Sequence, residues 1–120
     1  VFICVHPWFH KAVSDERWKL EQLKELAQLD PADPVVHYGL GCEHLRFKEY
    51  EEAAACFRRT LELKPDYSAA HRDLGKALEK LGQTEPAIAA YRTGKEIACR
   101  KGDLQTEREI DVFLKRLGVT

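Results

Sequence analysis

Methionine is absent from this sequence, and no two of its four cysteines stand as a C-x-x-C pair. Cys4, Cys42, Cys56 and Cys99 are too widely spread to read as the disulfide framework of a small secreted domain. Cys56 and Cys99 fall among apolar helical residues, where a free thiol packs as a small hydrophobe. A reducing, cytoplasmic setting is therefore expected. Charge of one sign is also scarce, because 19 Lys and Arg against 20 Asp and Glu leave a net charge of −1. Such a balance lacks the basic field that nucleic acid or an anionic membrane requires. Arg58-Arg59 and Arg100-Lys101 are local basic pairs, diluted by acidic neighbours. Long apolar runs are missing as well. Residues 1–5 are all apolar, but that run is far too short to cross a bilayer, and no basic segment precedes it. Neither a membrane span nor a signal peptide is expected.

Catalytic signatures are absent too. The chain has no Gly-rich phosphate loop, no nucleophile elbow and no H-E-x-x-H. Glu51-Glu52 sits at a helix start, where acids favour the helix dipole. Cys42 and His44 are two residues apart, so on a helix they point about 200° away from each other and cannot form a thiol-imidazole pair. No enzymatic activity, catalytic residue or cofactor is expected. A metal site is not expected either, because zinc needs about four ligands in fixed geometry. Cys4, His6 and His10 are interrupted by Pro7-Trp8, and His37 and His44 lie one heptad apart on a packing face.

What the chain does have is a repeat. Hydrophobic residues make up 44% and charged residues 32% of 120 residues, a balance that lets one domain bury its own core. A shift of 34 residues aligns 34–67 with 68–101 without a gap. His37 falls on His71, Leu40 on Leu74, Gly41 on Gly75 and Glu51 on Glu85. Ala53 falls on Ala87, Ala55 on Ala89, Arg58 on Arg92 and Glu62 on Glu96, while Phe57 meets Tyr91 and Leu63 meets Ile97. Periods of this length mark stacked helical units, so repeats are sought before other patterns.

The first copy reads His37-x2-Leu40-Gly41-x2-His44, then Ala53-x3-Phe57, then Pro65. The second reads His71-x2-Leu74-Gly75-x2-Leu78, then Ala87-x3-Tyr91. This resembles the tetratricopeptide repeat family, whose pattern is W-x2-L-G-x2-Y, A-x3-F, P. The chain departs from it in two ways. His or Leu replaces the usual Trp and Tyr, and Cys99 stands where Pro is expected, so the last helix of the second repeat is predicted to run on. Small residues facing large ones are what close helix pairs need, so Gly41 and Gly75 are expected to admit Phe57 and Tyr91.

An all-α fold of antiparallel helix pairs is expected, with helices over 34–47, 50–64, 68–81, 85–100 and 103–117. Asp33-Pro34 supplies a capping acid before a Pro at the first helical position. Residues 15–31 read as a degenerate half repeat, and residues 1–13 as an N-terminal tail or fold-back segment ahead of a single domain over 14–117. In 103–117, Ile110, Phe113, Leu114 and Leu117 form one apolar stripe backed by Glu107, Arg108, Asp111 and Lys115, the pattern of a capping helix.

The resemblance implies a right-handed α-solenoid, similar to small bacterial proteins of this family. It also implies a protein-binding adaptor whose first helices line a concave groove for a peptide or helix of a partner. By helical geometry that groove takes Val35, Tyr38, Cys42 and Leu45, with Arg46 at its edge, from the first repeat. From the second it takes Ala69, Arg72, Lys76 and Glu79, with Asp73 and Lys80 beside them. It is expected to be apolar over the first repeat and charged over the second. Some family members grip a chaperone carboxylate with Lys, Asn and Arg. The matching places here hold Tyr38, Gly39, Cys42, Ala69 and Asp73, so no such clamp is expected. The alternative is a self-associating module, a homodimer formed through residues 1–13 and the open repeat end. Tyr38 and Arg72 are assigned no part in the packing between helices.

Overall fold

The computed structural model describes residues 17–119. Among them are six helices: α1 (Arg17–Leu29), α2 (Pro34–Arg46), α3 (Tyr50–Leu63), α4 (Ser68–Lys80), α5 (Thr84–Lys101) and α6 (Leu104–Arg116). No strand occurs among the described residues, and none of their helices is long and apolar enough to cross a membrane. Residues 1–13, read as a tail or fold-back segment, lie outside the described residues, as do Cys4, His6 and His10.

Local chemistry sets the helix starts. Asp33 is extended and accepts a hydrogen bond from the Val35 amide at 2.9 Å, with Pro34 behind it at the first helical position. Asp103 accepts from the Thr106 amide at 3.2 Å and from Ser68 Oγ at 3.0 Å, so one carboxylate caps α6 and ties it to the start of α4. The predicted continuation of α5 is present, since it has 18 residues where α3 has 14. Lys101, on that added turn, reaches back to the carbonyl and carboxylate of Asp66 at 3.1 and 3.2 Å.

The two repeats pack as their glycines require. Phe57 and Tyr91 are fully buried. A Cβ on Gly41 would lie 2.5 Å from the Phe57 ring, and one on Gly75 would collide with the Tyr91 ring in the same way. Ala53, Ala54, Ala77, Ala87 and Ala90 complete the close approaches. On α6, Ile110 and Leu114 are buried against this core, with Phe113 and Leu117 packed at its edge. The histidines of the repeat replace the family's aromatics by polar means. His37 Nε2 meets the Pro31 carbonyl at 2.8 Å and His71 Nε2 the Pro65 carbonyl at 3.0 Å, one period apart. His44 is buried and its Nδ1 lies 2.9 Å from Glu49, which also takes Arg17 of α1 at 2.8 Å. These two hydrogen bonds hold the Glu49 carboxyl below the usual carboxylate range.

One detail differs from the sequence reading. Cys99 is exposed rather than packed, because it lies on the outer side of α5 while its neighbours Ile97 and Ala98 are buried. Only Leu20 of α1 is buried, while Trp18, Leu26 and Leu29 are 50%, 47% and 82% exposed.

Candidate functional site

α2, α4 and α6 lie side by side and are joined by polar links that fall one repeat apart. Tyr38 of α2 donates its hydroxyl to Asp73 of α4 at 2.6 Å. Arg72 of α4 holds Asp73 at 3.0 Å and Glu109 of α6 at 2.6 Å, and donates to the Tyr38 hydroxyl at 3.2 Å. The side chain of Asp73 is 4% exposed and that of Arg72 17%, so the network is interior at its centre and reaches the surface at Glu109, which is 41% exposed. Burial of a charge is tolerated where it is paired and fully hydrogen-bonded.

The network corrects the sequence reading of Tyr38 and Arg72 as free of packing duty. The Tyr38 ring stacks on Tyr67 at 4.8 Å and tilts against Phe57 at 5.8 Å. Burial and the Asp73 carboxylate push its hydroxyl well above the ordinary phenol range. For Arg72, burial opposes the charge, but the hydrogen bonds and proximity of Asp73 outweigh it and raise the guanidinium further. Cys42 is half-buried with Sγ 4.0 Å from Asp73, and burial with that nearby anion pushes its thiol up to about 11. Cys42 and His44 face different partners, Asp73 and Glu49. No group of three or more possible metal ligands comes together among the described residues.

The remaining groove candidates divide. Val35 is 62% exposed on α2, and Ala69 is half-buried at the start of α4. Arg46 pairs with Glu43 at 3.1 Å and lies over the Phe47 ring. Leu45, Lys76, Glu79 and Lys80 come together in an open cavity of about 510 Å3. It lies where α2 ends and α3 begins, against α4 and α6. Tyr50, Phe113 and Arg116 complete its lining, and the sequence reading had assigned none of the three to the groove.

Phe113 forms an aromatic part of the cavity wall and packs against Tyr91 at 5.4 Å. Lys76 and Arg116 stand over its ring at 5.6 and 5.2 Å. Arg116 also grips Glu79 through both carboxylate oxygens, at 3.0 and 3.1 Å, and Glu79 accepts the Tyr91 hydroxyl as well. Burial and then this carboxylate raise the Tyr91 hydroxyl above its ordinary range. Glu79 is thus engaged from two sides and does not leave the cavity acidic.

A signal for the missed residues was available. Glu79-Lys80-Leu81-Gly82 closes α4 and Lys115-Arg116-Leu117-Gly118 closes α6. Those endings align at a shift of 36 residues, not 34, because the longer α5 displaces the helix after it. At that shift Ala70, Leu74 and Leu78 fall on Thr106, Ile110 and Leu114, all buried. α6 is therefore packed as the first helix of a further repeat, and Arg116 matches Lys80.

Comparison with known proteins places this geometry. Residues 38–99 match the family model described as tetratricopeptide repeat. A TPR repeat-containing protein of Pseudomonas aeruginosa is 34% identical over 98 residues, which cover 82% of this chain and 93% of that protein. A solution structure of a Bordetella parapertussis protein superposes with a TM-score of 0.73 at 29% identity, covering 82% of this chain and 86% of that one. The crystal structure of a tetratricopeptide repeat domain protein from Salinibacter ruber gives 0.66 at 36% identity, covering 73% and 99%.

Proposed function

The chain belongs to the tetratricopeptide repeat family, and from that premise we propose that it is a non-enzymatic adaptor holding a peptide segment or helix of another protein against α2, α4 and α6. The family fold is that of a protein–protein interaction module. One observation carries the finer reading. The cavity bounded by Leu45, Lys76, Glu79 and Lys80 opens between successive first helices, where an extended segment would cross from one repeat to the next. Concave, partly apolar clefts with a few convergent polar groups are the usual form of a binding site.

Free thiols at Cys42, Cys56 and Cys99 support a reducing, cytoplasmic setting for such an adaptor. The places that matched the chaperone carboxylate clamp include Asp73, whose charge is already committed to Arg72 and Tyr38, and this supports a different kind of partner.

Site-specific photo-crosslinking in the native host tests the reading. A photoreactive side chain at Lys80 is expected to capture a discrete partner, and one at Arg92, exposed on α5, is not. Equal capture from Arg92 would remove the groove as the binding surface. Self-association through α1 is a second reading, supported by exposed Trp18, Leu26 and Leu29 on one helix. Sedimentation equilibrium separates the two: a monomer supports the adaptor reading, and a dimer lost on replacing Trp18, Leu26 and Leu29 supports the second.

A further inference from the structure

We infer that the cavity between Leu45, Tyr50 and Phe113 takes an acidic peptide segment anchored by one bulky apolar side chain, an inference that rests on the concave-face reading above. The charges around the cavity are unequal. Lys76, Lys80 and Arg116 stand against the single carboxylate of Glu79, which is already held by Arg116 and the Tyr91 hydroxyl. Asp73 lies behind Lys76 at 3.5 Å, but its side chain is 4% exposed and engaged by Arg72. Lys80 is exposed and has no ion pair among the described residues. The balance at the mouth is therefore positive, in a chain whose net charge is −1.

Placement matters more than number. Arg46, Lys80 and Arg116 are the last residues of α2, α4 and α6. The helix dipole favours a cation in a last turn on any face. It does not require Lys80 and Arg116 to share one cavity with an aromatic wall, as they do here. Leu45, Tyr50 and Phe113 provide the apolar contact, and all three are partly buried rather than closed off. A Leu, Ile or Phe side chain entering between them removes apolar area from water on both sides. A carboxylate flanking that side chain then meets Lys80 without displacing an ion pair, and a second can share Lys76 with Asp73, 3.5 Å behind it. A basic segment would face Lys76 and Lys80 beside the Arg116–Glu79 pair, and a purely acidic one would leave the apolar wall wet.

The test uses the chain immobilised as bait for a displayed library of random peptides. The expected result is enrichment of sequences with Asp or Glu beside one Leu, Ile or Phe. A synthetic peptide of the enriched sequence, followed by fluorescence anisotropy, is expected to bind Lys80→Glu about tenfold more weakly. Lys24→Glu on α1, the same charge change away from the cavity, is expected to bind within about twofold of the parent protein. Lys80→Gln serves as a milder second variant that adds no acid at a helix C-terminus, and it should lose less affinity in the same direction. Enrichment of neutral or basic sequences, or no enrichment at all, overturns the inference. So does an acidic binder that ignores Lys80→Glu. A peptide whose amide-shift changes map to the Val35 and Ala69 end of the first helices, and not to Lys80, sinks this cavity while leaving the concave-face reading intact.

Discussion

The two full repeats share a scaffold and differ in what they present. Gly41 and Gly75 admit Phe57 and Tyr91 by the same close approach, and His37 and His71 reach the carbonyls of Pro31 and Pro65 with the same geometry. On the groove side each shared position diverges. Tyr38 stands where the second repeat has Arg72, Cys42 where it has Lys76, and Leu45 where it has Glu79. The exchange is not a simple switch from apolar to charged. Tyr38 and Arg72 both turn inward and meet at Asp73, so the divergence at that position builds the interface between repeats. Only one to two turns later, at Leu45 and at Lys76 to Lys80, does it reach the open cavity. Repeat identity thus holds where backbones approach closely, and divergence serves contacts to the next unit or to a partner.

The largest expected effect tests the shared part. Phe57→Ala and Tyr91→Ala should each cost about 3–5 kcal/mol, because both rings are fully buried against a glycine. Urea denaturation followed by circular dichroism measures both, and a cost confined to one repeat would mean that the second tolerates collapse. Overpacking from the other side should cost less. Gly75→Leu forces a branched side chain into the Tyr91 ring and is expected to lose about 1–3 kcal/mol, read from the same transition.

The inward-turned tyrosines sharpen the comparison through pH. Tyr38 and Tyr91 both have hydroxyls raised by burial first and then by Asp73 or Glu79. The folded state keeps protons that the unfolded chain releases above about pH 10. Their contribution is therefore complete below that pH and falls as pH rises beyond it. Urea midpoints measured from pH 8 to 11 should decline at the alkaline end, and Tyr38→Phe or Tyr91→Phe should each flatten the decline. At neutral pH, Tyr38→Phe should cost about 1.5 kcal/mol through loss of its charge-assisted hydrogen bond. An alkaline decline unchanged by either variant would show that these hydroxyls titrate as they do in water.

The smallest effect concerns the turn between paired helices. Lys48 and Gly82 hold the same place and the same left-handed backbone, with φ of 62° and 79°. A side chain is strained there and glycine is not. Lys48→Gly should stabilise by about 0.5–1 kcal/mol, and Gly82→Lys should destabilise by about 1–2 kcal/mol. Differential scanning calorimetry on the two variants checks the opposite signs.

Much of the scaffold was legible because it depends on period and local chemistry. The 34-residue shift, the Leu-Gly pairs, the Ala-x3-Phe/Tyr spacing and the Asp33-Pro34 start are covalent facts of the chain, and each has a local physical consequence. The groove was harder. Helical geometry placed Leu45, Lys76, Glu79 and Lys80 on the cavity side, yet it also put Arg72 and Asp73 there as accessible charge. Phe113 and Arg116 were hidden because α6 was aligned to nothing, its match to α4 being displaced by the added turn of α5.

The sequence by itself determined the helical units, their order and the small-against-large contacts within each pair. Those depend on spacings of three to five residues and on a repeat that needs no tertiary information to be counted. Only the tertiary structure decided which polar residues are spent inside. A charged side chain on a helix edge reads the same in sequence whether it meets solvent or another helix. Asp73 is interior because Tyr38, 35 residues earlier, and Arg72 beside it converge on it, and Glu79 is neutralised because Arg116, 37 residues later, reaches across from α6. The charge left outward, Lys80 above all, is the remainder of those long-range pairings.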